Sequence, residues 1–125
     1  MSLELPLKYD LYLYHGDSYV KGFRLRDQDT QEYRDLTDAV LLSQVRQSSM
    51  SPSILFEFDI DLANQEDENT IGMCYFRMTD ANFVGIPRFP DETFIGVYDF
   101  EVTWSGGPKI TYLYGDVYVK GDVSQ

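Results

Sequence analysis

The sequence predicts an all-β fold, a two-sheet antiparallel β-sandwich of about seven strands. The main evidence is a pair of alternating runs at 93–104 and 109–119, joined by a turn that contains Gly106, Gly107 and Pro108. Aromatic and β-branched residues that alternate on both sides of a Gly-rich turn are typical of a β-hairpin. A sheet with one apolar face must cover that face, so several such strands indicate two packed sheets.

The other five strands are predicted at 9–14, 18–26, 39–47, 54–61 and 71–78. The strand at 39–47 is predicted from its β-branched and aliphatic residues, the first four of which would also suit a helix. The polar segment 27–35 is predicted to be a solvated hairpin tip, and 80–86 to form one helical turn capped by Asp80. Residues 54–61 show the cleanest period of two, which places their apolar side chains on one face. The predicted core comprises Ile54, Phe56, Phe58, Ile60, Tyr98, Phe100, Val102 and Trp104.

Length and composition indicate one domain that spans residues 1–125. Hydrophobic residues make up 43% of the chain and aromatic residues 15%, which is enough to fold around a core. The formal net charge is -11, and a strongly acidic chain repels phosphate, so we expect no nucleic-acid partner. No stretch of 18 consecutive apolar residues occurs, so we expect no membrane partner.

Catalytic and zinc sites are not indicated by the sequence. The only histidine, His15, adjoins Gly16 and Asp17 at a predicted turn, and no nucleophile pattern accompanies it. The only cysteine, Cys74, excludes an intrachain disulfide and suits a reducing compartment. One Cys and one His cannot supply the three or four ligands that zinc requires. We therefore expect no enzymatic activity, no cofactor and no metal.

The carboxylates allow two alternatives. Asp59 and Asp61 share a strand face near the acidic loop at 66–68, which could complete a calcium cage, although the spacing matches no EF-hand. Asp99 and Glu101 lie among apolar residues, as glycosidase acid/base pairs often do. The Asp99 and Glu101 side chains are both predicted to face outward, which argues against the burial that would raise a carboxyl pKa. Solvated strand faces explain both pairs more simply.

Ten tyrosines suggest either a protein interface or a sugar-binding surface. Tyr12 and Tyr14 share a face of the first strand, and Tyr112 and Tyr114 are predicted to share a face of the last. One face of each strand must pack in the core, so rings on the other face are available for contacts. These four tyrosines are the candidate site, with protein contact favoured over sugar binding because interfaces are enriched in Tyr.

Several short motifs, taken in order, resemble a family of small tailed-bacteriophage structural proteins. They are Gly16-Asp17-Ser18-Tyr19, Phe23-Arg24-Leu25-Arg26-Asp27, Asp35-Leu36-Thr37-Asp38-Ala39-Val40 with Gln44-Val45-Arg46, Gly96-Val97-Tyr98-Asp99-Phe100-Glu101-Val102, and Tyr114-Gly115-Asp116-Val117-Tyr118-Val119. The resemblance runs from about residue 13 to 119. Asp38 departs from it, since the family has Gly there, and the link at 82–93 is longer and richer in Pro.

The resemblance implies an immunoglobulin-like β-sandwich, similar to the N-terminal domain of phage baseplate upper proteins. It also implies a virion component of the tail, baseplate, neck or capsid surface, made in the host cytoplasm. Its partners would be other virion proteins, with several copies in one assembly. It carries over no catalytic or metal residue. The alternative function is that of a carbohydrate-binding module for a host or polymer glycan.

Overall fold

The structure, a computed structural model, describes residues 6–15, 19–27, 30–48, 50–78, 82, 86 and 89–121. Within these residues the chain forms nine strands. They are β1 (Leu7–Lys8), β2 (Leu11–Tyr14), β3 (Tyr19–Arg24), β4 (Val40–Arg46), β5 (Ile54–Glu57), β6 (Asp59–Leu62), β7 (Met73–Met78), β8 (Thr93–Thr103) and β9 (Lys109–Lys120).

The strands form two sheets. The large sheet has the order β1-β9-β8-β4-β5, with β2 also paired to β9, and the small sheet has the order β3-β7-β6. β1 and β2 run parallel to β9, while the other paired strands run antiparallel. Three strands facing a sheet built on β9, β8 and β4 is the immunoglobulin-like arrangement. The predicted two-sheet sandwich is therefore confirmed.

An aromatic cluster joins the two sheets. Phe76 of the small sheet meets Phe100 of the large sheet edge to face, with ring centroids 4.9 Å apart. Phe23 and Phe58 pack on Phe76 at centroid distances of 4.9 and 5.2 Å. Cys74 is buried nearby as a free thiol, so burial of aromatic surface replaces a covalent link.

The run at 54–61 is two strands rather than the single strand that its alternation predicts. β5 belongs to the large sheet and β6 to the small one, and the chain crosses between them at Phe58. Phe58 stays buried, and its backbone N–H donates to the Ser43 carbonyl at 3.0 Å. Ile54 was predicted to be buried but is exposed, because a β-bulge in β5 pairs it with Arg46, on the opposite side of the sheet from the Phe56 and Val45 pair.

The other predicted core residues lie as expected. Phe56, Tyr98, Phe100, Val102 and Trp104 are buried, and Ile60 packs against the core. The first predicted strand begins later than expected because Asp10 interrupts it: the Asp10 carboxylate accepts a hydrogen bond from the Asp116 backbone N–H at 2.9 Å. The predicted helical turn at 80–86 lies outside the described residues, apart from Asn82 and Ile86.

Candidate interaction surface

Three of the four candidate tyrosines are at the surface. Tyr12 and Tyr14 on β2 are 53% and 52% exposed, while Leu11 and Leu13 between them are buried. Tyr114 on β9 is 43% exposed. All three lie on the side of the large sheet that faces away from the small sheet, which we call the outer face.

Tyr112 is buried, with only 6% exposed, so the prediction that it shares a face with Tyr114 is wrong. The cause is a β-bulge between β8 and β9. Phe100 pairs with Leu113 and Glu101 with Thr111, which leaves Tyr112 as an extra residue. An extra residue changes the facing of the side chains that follow it. Tyr112 and Leu113 both point into the core as a result.

A row of aromatic side chains crosses one end of the outer face. Tyr12 pairs with Tyr118, and Tyr118 pairs with Phe94, across three neighbouring strands. The Tyr12 and Tyr118 rings are stacked 5.1 Å apart, and Phe94 meets Tyr118 in a T-shaped contact at 5.9 Å. Phe94 is 49% exposed. Neither Phe94 nor Tyr118 is among the surface residues predicted from the sequence.

The centre of the outer face is an open depression of about 530 Å³. It is lined by Lys8, Gln44, Arg46, Val97, Tyr98, Asp99, Thr111, Tyr114, Gly115 and Asp116. Gln44, Asp99 and Tyr114 form one row across β4, β8 and β9, and Lys8 of β1 continues it. Arg46 is held in place by donating to Gln44 Oε1 at 2.8 Å and to the Pro52 carbonyl at 3.1 Å.

Asp99 and Glu101 form a carboxyl pair at this depression. Partial burial and, second, the neighbouring Glu101 charge together raise the pKa of Asp99 to about 6. Lys109 lies 3.3 Å from Glu101 and partly balances the pair. Both residues face outward, as predicted, but Asp99 is half-buried, which the strand pattern did not indicate.

The Asp99 and Glu101 geometry does not suit glycoside cleavage. Glu101 raises the pKa of Asp99 through its charge and through a side-chain hydrogen bond, so the two groups act on each other directly. Retaining glycosidases hold their carboxyl groups about 5–5.5 Å apart and inverting enzymes hold them farther apart, on either side of the scissile bond. Asp99 and Glu101 lie two residues apart on one face of β8, so they do not stand on either side of a bound sugar linkage.

Replacing Asp99 is expected to stabilise the protein at neutral pH. A raised folded-state pKa contributes stability that is present below pH 3.8, the unfolded value, and is lost as pH rises through about 6. Asp99→Asn should therefore raise the free energy of unfolding at pH 7.5 by on the order of 1 kcal/mol, allowing for partial exposure. The gain should disappear near pH 4.

Urea denaturation of both proteins at the two pH values measures this effect. Asp91→Asn, in an exposed turn, removes the same formal charge and controls for the change in net charge. An equal gain at both pH values would show that Asp99 is not the titrating group.

The other residues that the sequence singled out as candidates make contacts within the fold. Asp61 forms an ion pair with Arg77, and His15 Nε2 lies 2.5 Å from the Ile86 carbonyl oxygen. Burial raises the pKa of Cys74 to about 12, so its thiol is protonated at neutral pH. Among the described residues, no group of three or more His, Cys, Asp or Glu side chains could hold a metal ion.

An arginine and tyrosine stack, which the sequence analysis missed, fixes the loop between β3 and β4. The Arg24 and Arg26 guanidinium carbons lie 3.4 and 4.6 Å from the Tyr33 ring centroid. Arg26 also donates to the Tyr33 hydroxyl at 2.8 Å, and this hydrogen bond is the main reason that the pKa of Tyr33 is lowered. Arg24 donates further to the Ile71 and Glu68 carbonyls, so these cations are used within the fold.

Comparison with known proteins yields no family. No protein-family profile matches the chain, and no curated protein sequence matches it.

No helix in the described part of the chain is long and apolar enough to cross a membrane.

Solved structures to which the chain is remotely similar include immunoglobulin-like proteins, three of which follow. A chimeric titin Z1Z2 carrying an exogenous decorin peptide shares 11% identity, with a TM-score of 0.44, over 94% of this chain and 90% of that one. The extracellular domain of the voltage-gated sodium channel β4 subunit shares 14%, with a TM-score of 0.47, over 98% and 100%. A structure from a cross-linking study of sodium channel β subunits shares 15%, with a TM-score of 0.47, over 94% and 97%.

Proposed function

We propose that this protein is a non-enzymatic structural component of a tailed-bacteriophage particle and acts through protein-protein contacts. The observation that carries the proposal is the aromatic row on the outer face, formed by the exposed rings of Tyr12 and Phe94 with the half-buried ring of Tyr118 between them. Large amphipathic rings at a surface suit a partly buried contact with a polar rim. The ordered sequence motifs support the phage assignment, with the chain made in the host cytoplasm and located in the virion.

The polar surroundings of the rings support a contact of this kind. Tyr14 extends the aromatic row beside Lys120, and Asp116 accepts a hydrogen bond from the Tyr118 hydroxyl at 3.4 Å. A contact made by aromatic residues with charged residues around them excludes water from its centre and keeps its specificity at the rim.

Removing two exposed rings is expected to block assembly without unfolding the domain. Tyr12→Ser with Tyr14→Ser deletes side chains that project from β2, while Leu11 and Leu13 still pack the core. Particles produced in the presence of this variant should contain at least tenfold fewer copies of it than of the parent chain, measured by quantitative mass spectrometry of purified particles.

The matched control is Val20→Ser with Met50→Ser, which removes two exposed apolar side chains away from the aromatic row. It should be incorporated as well as the parent. Equal incorporation of the tyrosine variant would show that these rings are not the contact, and absence of the parent chain from particles would overturn the virion assignment.

Carbohydrate binding is the second candidate, and the same exposed rings favour it because sugar rings stack on flat aromatic faces. The isolated chain would then bind specific glycans on an array, and the Tyr12→Ser, Tyr14→Ser variant would lose them. Glycan binding by a parent chain that does not enter particles would favour this second candidate over the first.

A further inference from the structure

The outer face is large enough for a stable contact between two proteins. β8 and β9 have 11 and 12 residues, so the face is about 37 Å long at a rise of ~3.4 Å per residue. Strand spacings of ~4.8 Å give it an area on the order of 700 Å², close to the ~800 Å² that each partner buries in a standard interface. The small sheet has three strands of four to six residues and offers less than half of that area.

Charge is distributed unevenly between strands and loops. The strands carry seven basic residues, Lys8, Lys21, Arg24, Arg46, Arg77, Lys109 and Lys120, and six acidic ones, Glu57, Asp59, Asp61, Asp99, Glu101 and Asp116. The described loop residues include only Arg26 and Arg34 as basic residues. The acidic loop residues are Asp10, Asp27, Glu32, Asp35, Asp38, Glu66, Asp67, Glu68, Asp91 and Glu92.

Most of this acidic charge lies at one end of the sandwich, which we call the acidic pole. It is formed by the β3–β4 and β6–β7 connections, which meet where the Leu25 N–H donates to the Gly72 carbonyl at 2.8 Å. The β8–β9 turn lies at the same end, since Val40 at the start of β4 pairs with Thr103 at the end of β8. The aromatic row lies toward the opposite end of the outer face.

The outer face itself is balanced in charge. Its strands contribute four cations, Lys8, Arg46, Lys109 and Lys120, and four anions, Glu57, Asp99, Glu101 and Asp116. Adding Asp10, beside Asp116, leaves it one charge negative. Two copies that each carry a net charge of -11 repel one another, and this repulsion is smallest where a neutral face meets a neutral face.

We propose that a second copy of this chain docks on the outer face, face to face and antiparallel. An antiparallel arrangement keeps the two acidic poles at opposite ends of the pair, whereas a parallel one would bring them together. It also places the aromatic end of each copy, with Lys120, over the Glu101 end of its partner. The pairing rests on the proposed function, because it names a partner for the same surface.

Sedimentation equilibrium of the full chain at pH 7.5 tests the pairing over roughly 1–300 μM. The parent should shift with concentration from the monomer mass of 14.5 kDa to twice that value. Tyr114→Asp and Tyr114→Lys should each weaken dimerisation by about tenfold or more, because both copies bring the new charge to the middle of the contact. Val20→Asp, on the outer surface of the small sheet, adds the same charge as Tyr114→Asp and should leave the dimer unchanged.

Folding of each variant is checked by circular dichroism and by its urea midpoint. If Tyr114→Asp does not fold, Tyr114→Lys carries the test. A parent chain that remains monomeric throughout, or a dimer that both Tyr114 variants leave intact, would overturn the pairing.

The orientation is tested with a new thiol at the acidic pole. Cys74 is buried, so Ser105→Cys adds one accessible thiol at the β8–β9 turn. Antiparallel copies hold these turns far apart, and oxidation should give no disulfide-linked dimer beyond the level seen for a denatured control. Efficient cross-linking of the native dimer would overturn the antiparallel arrangement.

The two proposals can fail separately. A monomeric parent whose tyrosine variant still fails to enter particles would remove the second copy as the partner and leave the virion role standing. A dimer that never enters particles would overturn the virion role and leave the pairing of two copies standing.

Discussion

Phe100→Ala is expected to lower the free energy of unfolding by about 3–5 kcal/mol, the usual range for emptying a buried aromatic site. Phe100 is fully buried on β8 and contacts Phe76 of the opposite sheet, with centroids 4.9 Å apart. It also packs near Phe23 and Tyr112, at 6.4 and 6.5 Å. Since no disulfide joins the sheets, the cavity would lie at their main point of attachment.

Urea denaturation followed by circular dichroism measures this loss, and β8 supplies a matched control. Phe94→Ala removes the same side chain from the same strand, but Phe94 faces outward. Its replacement should cost less than ~1 kcal/mol, as surface substitutions usually do. Similar costs for the two variants would mean that the facing of β8 is wrong.

The sequence predicted the final hairpin well because 11 and 12 residues of β8 and β9 alternate with few interruptions. Core side chains such as Phe100 and Val102 follow directly from that period. The β-bulge at Tyr112 cannot be predicted from that period, because one inserted residue leaves the composition of the strand unchanged. Tyr112 was therefore assigned to the surface, although Tyr114 two residues later was assigned correctly.

The run at 54–61 shows that alternation along the chain does not reveal which sheet a strand belongs to. Alternation reports which side chains face inward, and a sandwich has an inward side on each sheet. Phe56 on β5 and Ile60 on β6 both satisfy the pattern, although they belong to different sheets. Only long-range pairing, of β5 with β4 and of β6 with β7, reveals the crossing at Phe58.

Only some residues of the candidate surface could be predicted from the sequence. Tyr12 and Tyr14 could be found because Leu11 and Leu13 mark the buried side of their strand. Tyr118 joins them because β2 pairs in parallel with β9 in one particular register. Phe94 faces outward because a β-bulge lies between it and Gly96, so the period along β8 alone would place it inward with Tyr98. The raised pKa of Asp99 likewise depends on its neighbours across the sheet, which a period along one strand cannot supply.

Gly96→Ala is expected to destabilise the protein by about 1–3 kcal/mol, the range for forcing extra atoms into a packed site. Gly96 is buried on β8, and a Cβ built there would overlap the Arg46 carbonyl oxygen and approach its carbonyl carbon to 2.9 Å. These obstacles are backbone atoms of β4, so no side-chain rotation relieves the overlap. The end of β4 must move away from β8, and Arg46 would move with it.

The control is Gly107→Ala in the β8–β9 turn, where the nearest heavy atom to a new Cβ is Trp104 Cβ at 3.4 Å. This variant should change the free energy of unfolding by no more than ~0.5 kcal/mol. A second consequence concerns Arg46, because moving the end of β4 would shift one of the four cations of the outer face from its place. Gly96→Ala should then weaken dimerisation more than its loss of stability alone explains, and an unchanged dimer would show that Arg46 makes no contribution to the contact.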